Sequence, residues 1–290
     1  MIMPSTKQAP VINPNDERDY MRRESDDIDA RDATNPLLCS EYVNEMYDIF
    51  RQSEVESQLN PSYMSTQPYI NDRMRTILVD WLIEVHLKFK MVPETLYLTV
   101  NVIDRYLAQK QVRRSKLQLV GVAALLAASK YEEIYPPELR DLVYITDRAY
   151  NKQEILTMEN DIVNTLCWNM TVPTVHSFLC RFLKAAHADR TMVQLACYVA
   201  ERTLQEQSMI KYLPSTVAAC AVYIARTSLK RHPWSPTLVQ YTKLDEPQLS
   251  ECLSDMKSFI KDPEASQQQA VARKYANTRF GAVSRMPIVL

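Results

Sequence analysis

The amino-acid sequence predicts an all-α fold: two tandem five-helix domains preceded by an N-terminal helical arm. Three observations lead to this prediction. The 290 residues include only 2 glycines beside 16 prolines, which disfavours hairpin-rich β folds and the glycine-dependent phosphate and dinucleotide loops. Apolar residues recur at helical spacing from about residue 40 onward. The whole pattern then returns once, at an offset of 97 residues.

The internal repeat pairs positions without a gap. Trp81 corresponds to Phe178, and Pro136 corresponds to Pro233. The stretch 120–125 (VGVAAL) corresponds to 217–222 (VAACAV). Small side chains let neighbouring helices approach closely, and a helix that is apolar around most of its circumference lies buried. The alanine-rich third helix of each copy is therefore predicted to be central, with four helices packed around it.

Domain boundaries follow from the repeat. The charge-dense stretch 15–32 has almost nothing to bury, so residues 1–37 are predicted to be a disordered tail. An N-terminal helix and linker occupy 38–68, the first five-helix domain 69–168 and the second 173–262. Residues 263–290 are predicted to form a C-terminal helix and tail.

Composition excludes several classes of function. The net charge of −1 gives no reason to expect nucleic acid. No two of the six cysteines lie closer than 13 residues, and the four histidines are scattered, so neither a metal site nor a cofactor is expected. No apolar run approaches the ~20 residues of a membrane span, and no signal peptide is visible. Cysteines set among apolar residues suit a reducing compartment, which predicts the nucleus and cytoplasm.

The two copies differ at a few charged positions. Lys130 corresponds to Thr227, and Glu159 corresponds to Met256. Burying an unpaired charge is costly. Lys130 and Glu159 therefore either pair internally or lie at a surface that another protein covers, and ordinary exposed charges at helix ends are an equal alternative. Arg75 is predicted to form a structural ion pair with Asp104 that locks two helices together.

Four segments closely resemble the cyclin box. They are residues 74–82 (MRTILVDWL), 116–121 (KLQLVG), 128–137 (ASKYEEIYPP) and Met158-Glu159. Two five-helix repeats are also the cyclin fold, and the resemblance extends from about Leu38 to the C-terminus. The chain is similar to mitotic cyclins of the A/B group. Residues 38–43 (LCSEYV) are typical of the B type and 144–147 (YITD) of the A type, which leaves the subtype open.

The resemblance implies a regulatory subunit with no catalytic activity, which binds a cyclin-dependent serine/threonine kinase, activates it and controls mitotic progression. In the family, the matching lysine and glutamate clamp the kinase near its αC helix, whose position controls phosphoryl transfer. The implied kinase-binding residues in the first box are Lys130, Glu159, Tyr131, Ile134, Val163 and Trp168. Those on the arm are Tyr42, Met46 and Ile49.

The resemblance also implies a second site, a shallow apolar groove that docks substrates and inhibitors carrying an R-x-L motif. Spacing alone would instead assign such an apolar stripe to the core. Glu84 is expected to receive the basic residue of the motif. The groove residues are Met74, Ile77, Leu78, Trp81, Arg114, Leu117 and Gln118.

Two residues within the matching segments depart from the family pattern. Thr76 replaces the usual alanine, and Tyr131 carries a hydroxyl where phenylalanine is common.

Three alternative functions are set against this one. A protein that is an enzyme in its own right would need a nucleophile–base motif or a phosphate loop. A transcription factor of the same fold would want a basic surface. An unrelated helical scaffold would leave the restriction of Lys130 and Glu159 to one copy unexplained.

Overall fold

The computed structural model describes residues 26–260 and 269–289, and every regular element within these ranges is helical. The α-helices of these ranges are α1 (Val43–Glu56), α2 (Asp72–Phe89), α3 (Pro93–Leu107), α4 (Leu117–Glu132), α5 (Leu139–Ile145), α6 (Lys152–Thr165), α7 (Val175–Ala185), α8 (Arg190–Leu204), α9 (Pro214–Ser228), α10 (Pro236–Thr242), α11 (Ser250–Ile260) and α12 (Ala270–Tyr275). Short 3₁₀ turns lie between several of them, including Tyr63–Thr66 before α2 and Arg114–Lys116 before α4.

The predicted repeat is confirmed by the helix bounds. Helices α2–α6 form the first box and α7–α11 the second, and the pairs α3/α8, α4/α9 and α5/α10 each begin 97 residues apart. Helix α7 begins later than this offset predicts, at Val175. Pro173 explains the delay, because a proline pushes the residue before it out of the helical region and lacks an N–H of its own.

A small-residue helix lies at the centre of each box. In α4 nearly every residue from Leu117 to Ser129 is buried, and the helix packs against α2, α3 and α6. At Gly121 a Cβ atom would come within 2.7 Å of Leu78 Cδ1, so the missing side chain is what allows α2 this close. Helix α9 packs in the same way against α7, α8 and α11. The short fourth helices rest mainly on a neighbour instead, α5 on α6 and α10 on α7.

The predicted ion pair between Arg75 and Asp104 is present and joins α2 to α3. Arg75 is 1% exposed, and its Nε and Nη2 donate to the two carboxylate oxygens of Asp104 at 2.6 and 2.7 Å. The hydroxyl of Tyr63 donates to Asp104 Oδ1 at 2.7 Å, and Arg75 Nη1 donates to the carbonyl oxygen of Leu204 at 3.0 Å. Burial alone would lower the pKa of Arg75, but Asp104 raises it above its usual value, so the guanidinium stays protonated. The pair therefore holds two helices of one box and also reaches the other box.

Further polar contacts close the seam between the boxes. The hydroxyl of Thr76 donates to the carbonyl oxygen of Gln205 at 2.8 Å, which gives this departure from the family pattern a structural role. Asp80 Oδ1 accepts from Gln205 Nε2 at 2.6 Å and from the backbone N–H of Ala270 at 2.9 Å. Helix α12 thus begins against α2 of the first box.

Helix α12 is also held by the second box. The ammonium of Lys274 lies 2.6 Å from Glu201 Oε1 on α8, and both side chains are buried. Within the predicted C-terminal segment, residues 269–289 contain the helix Ala270–Tyr275 and two 3₁₀ turns, whereas 263–268 and 290 lie outside the described residues. The C-terminal segment therefore bridges the two boxes.

The arm helix α1 packs on the second box through one face. The hydroxyl of Tyr47 donates to the carbonyl oxygen of Ser177 at 2.8 Å, and Arg51 Nη2 donates to that of Tyr241 at 2.9 Å. The buried carboxylate of Glu54 accepts from the backbone N–H of Ser215 at 2.8 Å, in the first turn of α9. A carboxylate at that position satisfies one of the free N–H groups of the helix start.

The prediction of a disordered tail is wrong for residues 26–37. Ile28 is buried in the core of the second box, and the carboxylate of Asp29 lies 2.6 Å from both Arg181 and Lys184 of α7. Two of the charges that suggested disorder, Asp29 and Asp32, are instead paired with basic side chains of α7. Residues 1–25, the rest of the predicted tail, lie outside the described residues.

Two searches of the described residues gave no site. None of these helices is both long and apolar enough to cross a bilayer. Within 26–260 and 269–289, no three histidine, cysteine, aspartate or glutamate side chains cluster in a way that could bind a metal ion.

We expect Asp104→Asn to lower the free energy of unfolding by about 3–5 kcal/mol, because it leaves the buried guanidinium of Arg75 without its counter-ion. Urea denaturation measures this loss. Glu138→Gln, which breaks an exposed pair with Arg140, is the control and should stay within about 0.5 kcal/mol of the wild type. A loss below about 1 kcal/mol for Asp104→Asn would show that the pair does not hold the seam.

We also expect one contact between the boxes to depend on pH. His176 Nδ1 on α7 lies 3.0 Å from Glu94 Oε1 on α3. Burial lowers the pKa of His176, but contacts with Cys180 and Glu94 outweigh it and raise the pKa to about 10. Because the folded-state pKa is raised, the stabilisation is complete below the unfolded pKa of about 6.5 and is lost as the pH rises to about 10.

The measurement is the difference in free energy of unfolding between the wild type and His176→Gln from pH 6 to 10. The difference should shrink as the pH rises. Cys180→Ser retains the Glu94 contact but removes the thiol, the first of the contacts that raise the pKa of His176, so it should weaken the pH dependence without abolishing it. A difference that stays constant across this range would contradict the assignment.

Candidate functional site

Lys130 and Glu159 form an ion pair at the surface of the first box. Lys130 lies in the last turn of α4 and Glu159 in the middle of α6, so the packing of these two helices brings them together. The Nζ of Lys130 is 2.7 Å from Oε1 and 2.8 Å from Oε2 of Glu159. The side chains are 49% and 12% exposed, respectively. An ammonium has three N–H donors, so one donor of Lys130 remains free for a ligand.

The second box replaces this pair with ordinary packing. Met256 is fully buried in the core, and the hydroxyl of Thr227 donates back to the carbonyl oxygen of Tyr223 within its own helix at 2.9 Å. The predicted difference between the copies is therefore present in the structure. Of the alternatives stated from sequence, internal pairing is present, and the pair is also partly exposed at the surface of the first box.

Exposed apolar side chains lie on the same part of the first box. Tyr131 follows Lys130 and is half exposed, Ile134 in the next loop is 87% exposed, and Trp168 after α6 is 68% exposed. The hydroxyl of Tyr131, the second departure from the family pattern, shares a hydrogen bond of 2.6 Å with Thr171 Oγ1. Large apolar side chains that cluster in solvent mark an interaction surface.

The position of Trp168 involves an unusual backbone conformation. Cys167 and Trp168 have φ angles of 51° and 60°, in the left-handed region. Such a conformation costs on the order of 1–3 kcal/mol for a residue other than glycine. The backbone N–H of Trp168 donates to the carbonyl oxygen of Val163 at 2.8 Å and the indole N–H to Asn164 Oδ1 at 3.1 Å. These bonds hold the indole ring outward.

Val163 does not share this exposure. It is only 9% exposed and packs in the core of the first box. Its assignment to the contact surface is therefore corrected, because the inward face of α6 places its side chain against α4. Tyr135, which sequence reasoning missed, is 90% exposed beside Ile134 and is a stronger candidate for contact.

The arm presents a second exposed apolar face. Tyr42, Met46 and Ile49 recur at helical spacing and are all exposed, because the opposite face of α1 packs on the second box. Leu37 and Leu38 precede the arm helix and are exposed too. These two were not among the predicted residues. Their position directly after Pro36, outside the helical stripe, gave no signal of a role.

A cavity lies on α2 where the resemblance places a docking groove. A shallow cavity of about 250 Å³ is lined by Met74, Ile77, Leu78, Trp81, Arg114, Leu117 and Gln118. Leu78 and Leu117 are buried and form its floor, whereas Ile77 is half exposed. The stripe is thus partly core and partly surface.

Glu84 lies apart from this cavity, one turn of α2 beyond Trp81. Its carboxylate pairs with the guanidinium of Arg273 on α12. Both side chains are more than half exposed. The residue expected to receive the basic residue of a motif is therefore already paired with a basic residue of the same chain.

Comparisons with known proteins agree with the fold and the repeat. The model of the cyclin N-terminal domain matches residues 45–171, and that of the cyclin C-terminal domain matches 173–288. Cyclin-B2-1 of Oryza sativa subsp. japonica is 48% identical over 260 residues, which are 89% of this chain and 62% of that protein. Cyclin-B1-3 of Arabidopsis thaliana gives the same values. The G2/mitotic-specific cyclin-1 of Antirrhinum majus is 45% identical over 89% of this chain and 54% of its own length.

Solved structures give the same fold. A viral cyclin from herpesvirus saimiri has a TM-score of 0.67 at 20% identity, over 73% of this chain and 94% of that one. A chain of the yeast RNA polymerase II CTD kinase complex has a TM-score of 0.56 at 16% identity, over 76% and 79%. The present chain spans about three fifths of the length of the curated relatives it matches. The two domain matches, the tandem boxes and the B-type relatives together establish that the chain belongs to the cyclin family.

Proposed function

We propose that the chain is a regulatory subunit, itself without catalytic activity, that binds and activates a cyclin-dependent serine/threonine kinase in the control of mitotic progression. One observation carries the proposal. The exposed Lys130–Glu159 pair exists in the first box alone and lies among exposed apolar side chains. The G2/mitotic-specific cyclins among the relatives and the kinase complex among the structural neighbours support it.

The energetics of the pair favour a role in binding over one in folding. An exposed ion pair contributes only about 0.2–1 kcal/mol to stability. The equivalent residues of the second box form no such pair, so the box can be built without it. Burying the pair beneath a partner would strengthen its hydrogen bonds by excluding water, while Glu159 keeps Lys130 in one orientation.

Activation follows from a preference for one kinase conformation. A kinase transfers phosphate only when its αC helix places the lysine–glutamate pair and the metal-binding aspartate correctly. A partner that binds this conformation alone shifts the population toward it by its difference in affinity. A shift from 1:99 to 99:1 needs about 5.5 kcal/mol. The exposed face formed by Tyr131, Ile134, Tyr135 and Trp168 offers apolar area that contributes to this difference where only one kinase conformation covers it.

We further propose that the groove on α2 recruits substrates and inhibitors with an R-x-L motif. The leucine would lie over the floor formed by Leu78 and Leu117, beside Trp81. The arginine of the motif would reach Glu84 by displacing Arg273. The free thiols of all six cysteines suit a reducing compartment, and we propose that the protein acts in the nucleus and cytoplasm.

We expect Lys130→Ala and Glu159→Ala each to reduce kinase activation at least tenfold, because each leaves a charge unpaired under the bound kinase. The measurement is phosphorylation of a short peptide by a cyclin-dependent kinase subunit titrated with each variant. Thermal unfolding of both variants should stay close to the wild type.

A matched control comes from the same two structural elements. Lys116, directly before α4, pairs with Glu154 in the first turn of α6 at 3.1 Å, and this pair is also exposed. Lys116→Ala should leave activation within twofold. Full activation by Lys130→Ala, or an equal loss for Lys116→Ala, would remove the main support for the proposal.

We expect Trp81→Ala to raise the KM for protein substrates with an R-x-L motif about tenfold or more and to leave short peptides without the motif unaffected. The indole supplies apolar area worth on the order of 1.5–3 kcal/mol when covered. Steady-state kinetics of the kinase complex on both substrates measures the difference. Equal loss on both would indicate misfolding or loss of the kinase, and no loss on either would exclude the groove from docking.

A further inference from the structure

We propose that Cys180 is a modification site, an activated thiol that hydrogen peroxide oxidises to a sulfenic acid. The observation that carries the inference is a row of three contacting side chains, Glu94, His176 and Cys180, where the two boxes meet. The inference concerns the chain on its own and does not rest on the proposed kinase or docking functions.

The three side chains come from helices of different boxes. Glu94 lies in the first turn of α3, and His176 and Cys180 lie four residues apart on α7, so the imidazole and the thiol share one side of that helix. His176 Nδ1 lies 3.0 Å from Glu94 Oε1. Cys180 Sγ lies 3.7 Å from Nδ1 and 3.8 Å from Nε2 of His176. A carboxylate thus orients an imidazole against a thiol, the arrangement in which cysteine nucleophiles are activated.

The imidazole carries the positive charge that a reacting sulfur needs. Burial lowers the pKa of His176, but contacts with Cys180 and Glu94 outweigh it and raise the pKa to about 10, so the ring is protonated at neutral pH. The sulfur lies almost equally far from both nitrogens, so it meets the charge of the whole ring rather than one N–H in line. An oxidant is attacked by the thiolate and not by the thiol, and a neighbouring cation favours the thiolate.

The imidazole is held in place by the first box. The His176 side chain is 12% exposed, and its ring packs against that of Tyr97 on α3 with the centroids 5.7 Å apart. The hydroxyl of Tyr97 is buried and, within the part of the chain that the structure describes, has no hydrogen-bond partner. Burial raises the pKa of this hydroxyl, and nearby acidic groups, Glu201 first and Cys180 among them, raise it further, so it stays protonated. One O–H donor next to the imidazole is therefore uncommitted.

Access and activation coincide at Cys180. All six cysteines lie in the described ranges, and three are exposed: Cys39, Cys167 and Cys180. Of these, Cys180 is the one for which the structure records a contact with an imidazole, whereas Cys39 donates to the carbonyl oxygen of Pro36 at 3.6 Å. Oxidation by a small solute needs both exposure and thiolate character. The structure therefore predicts selective oxidation within one chain.

A neighbouring thiol does not share this reactivity. Cys197 on α8 is close enough to interact electrostatically with Cys180. Burial raises the pKa of Cys197 to about 12, so it remains a thiol at neutral pH. Cys197 is therefore an internal control for proximity without activation.

The oxidation step is a two-electron transfer from sulfur to peroxide. The anionic sulfur of Cys180 attacks one oxygen of hydrogen peroxide, an S–O bond forms and the O–O bond breaks. The departing hydroxide takes a proton from the His176 imidazolium and leaves as water, so a neutral sulfenic acid and a neutral imidazole remain. A low-molecular-weight thiol reverses the change: its sulfur displaces the hydroxyl as water to form a disulfide, which a second thiol reduces.

The test treats the full chain with hydrogen peroxide at pH 7 in the presence of dimedone, which traps sulfenic acids, and identifies each labelled cysteine by peptide mass spectrometry. We expect Cys180 to be labelled about fivefold or more faster than Cys39 and Cys167, because these two are exposed without a recorded imidazole contact. Cys197 should remain unlabelled. Cys180→Ser should remove the fast label and leave the others unchanged.

Variants of the two activating side chains assign the effect. His176→Gln removes the positive charge and should bring the labelling rate of Cys180 down to that of Cys39. Glu94→Gln retains the imidazole but removes its orienting carboxylate, and should lower the rate by less. His187→Gln, which removes a half-exposed histidine just after α7 that pairs with Asp26, should leave the rate unchanged. Circular dichroism checks that each variant is folded.

The outcomes decide the inference. Fast labelling of Cys180 that falls in His176→Gln supports it. Labelling of Cys180 no faster than that of Cys39 and Cys167, or fast labelling that persists in both His176→Gln and Glu94→Gln, overturns it. The assay contains neither kinase nor peptide substrate, so its result is independent of whether the proposed function is correct.

Discussion

A buried guanidinium–carboxylate pair lies at the centre of the contacts that join the two boxes. Arg75 and Asp104 link α2 to α3, and the remaining nitrogen of Arg75 reaches the end of α8 in the other box. A buried pair of this kind adds little net stability over apolar packing, but its geometry admits one arrangement of the helices. Because α2 also carries the docking groove on its outer side, the pair fixes the surface that substrates are proposed to meet. The position next to the pair, Thr76, adds a hydrogen bond to the same seam.

The two boxes share a scaffold and divide the exposed chemistry between them. Core positions recur because each box must bury the same central helix, α4 or α9. The first box then leaves Lys130 half exposed beside a mostly covered Glu159, where the second buries Met256. The second box instead binds the arm through Tyr47, Arg51 and Glu54, which turns the apolar face of α1 outward. The repeated helices form the scaffold that the two boxes share, and the positions at which the copies differ form the surfaces available to a partner.

The helices and the repeat were predictable because they depend on local spacing and on residues close in sequence. The ordered segment at Asp29 was not, because its partner Arg181 lies 152 residues away and a charge-rich stretch has the same composition whether or not it is packed. The pairing of Glu84 with Arg273, 189 residues apart, was hidden for the same reason. The assignment of Val163 to the contact surface failed for a different reason. Family resemblance placed it at the contact surface, but the rotation of α6 against α4 decides its burial, and a motif does not encode that rotation.

The charge beside the cavity on α2 depends on the C-terminal segment, which lies far along the chain from the residues that line the cavity. Helix α12 is held against α2 by Asp80 and against α8 by Glu201, and this placement brings Arg273 to Glu84. Without α12, the carboxylate of Glu84 would lack this partner. With α12 in place, Arg273 neutralises it. Two cyclins with the same residues along α2 can therefore differ in charge at this position, because the C-terminal segment determines whether Glu84 is paired.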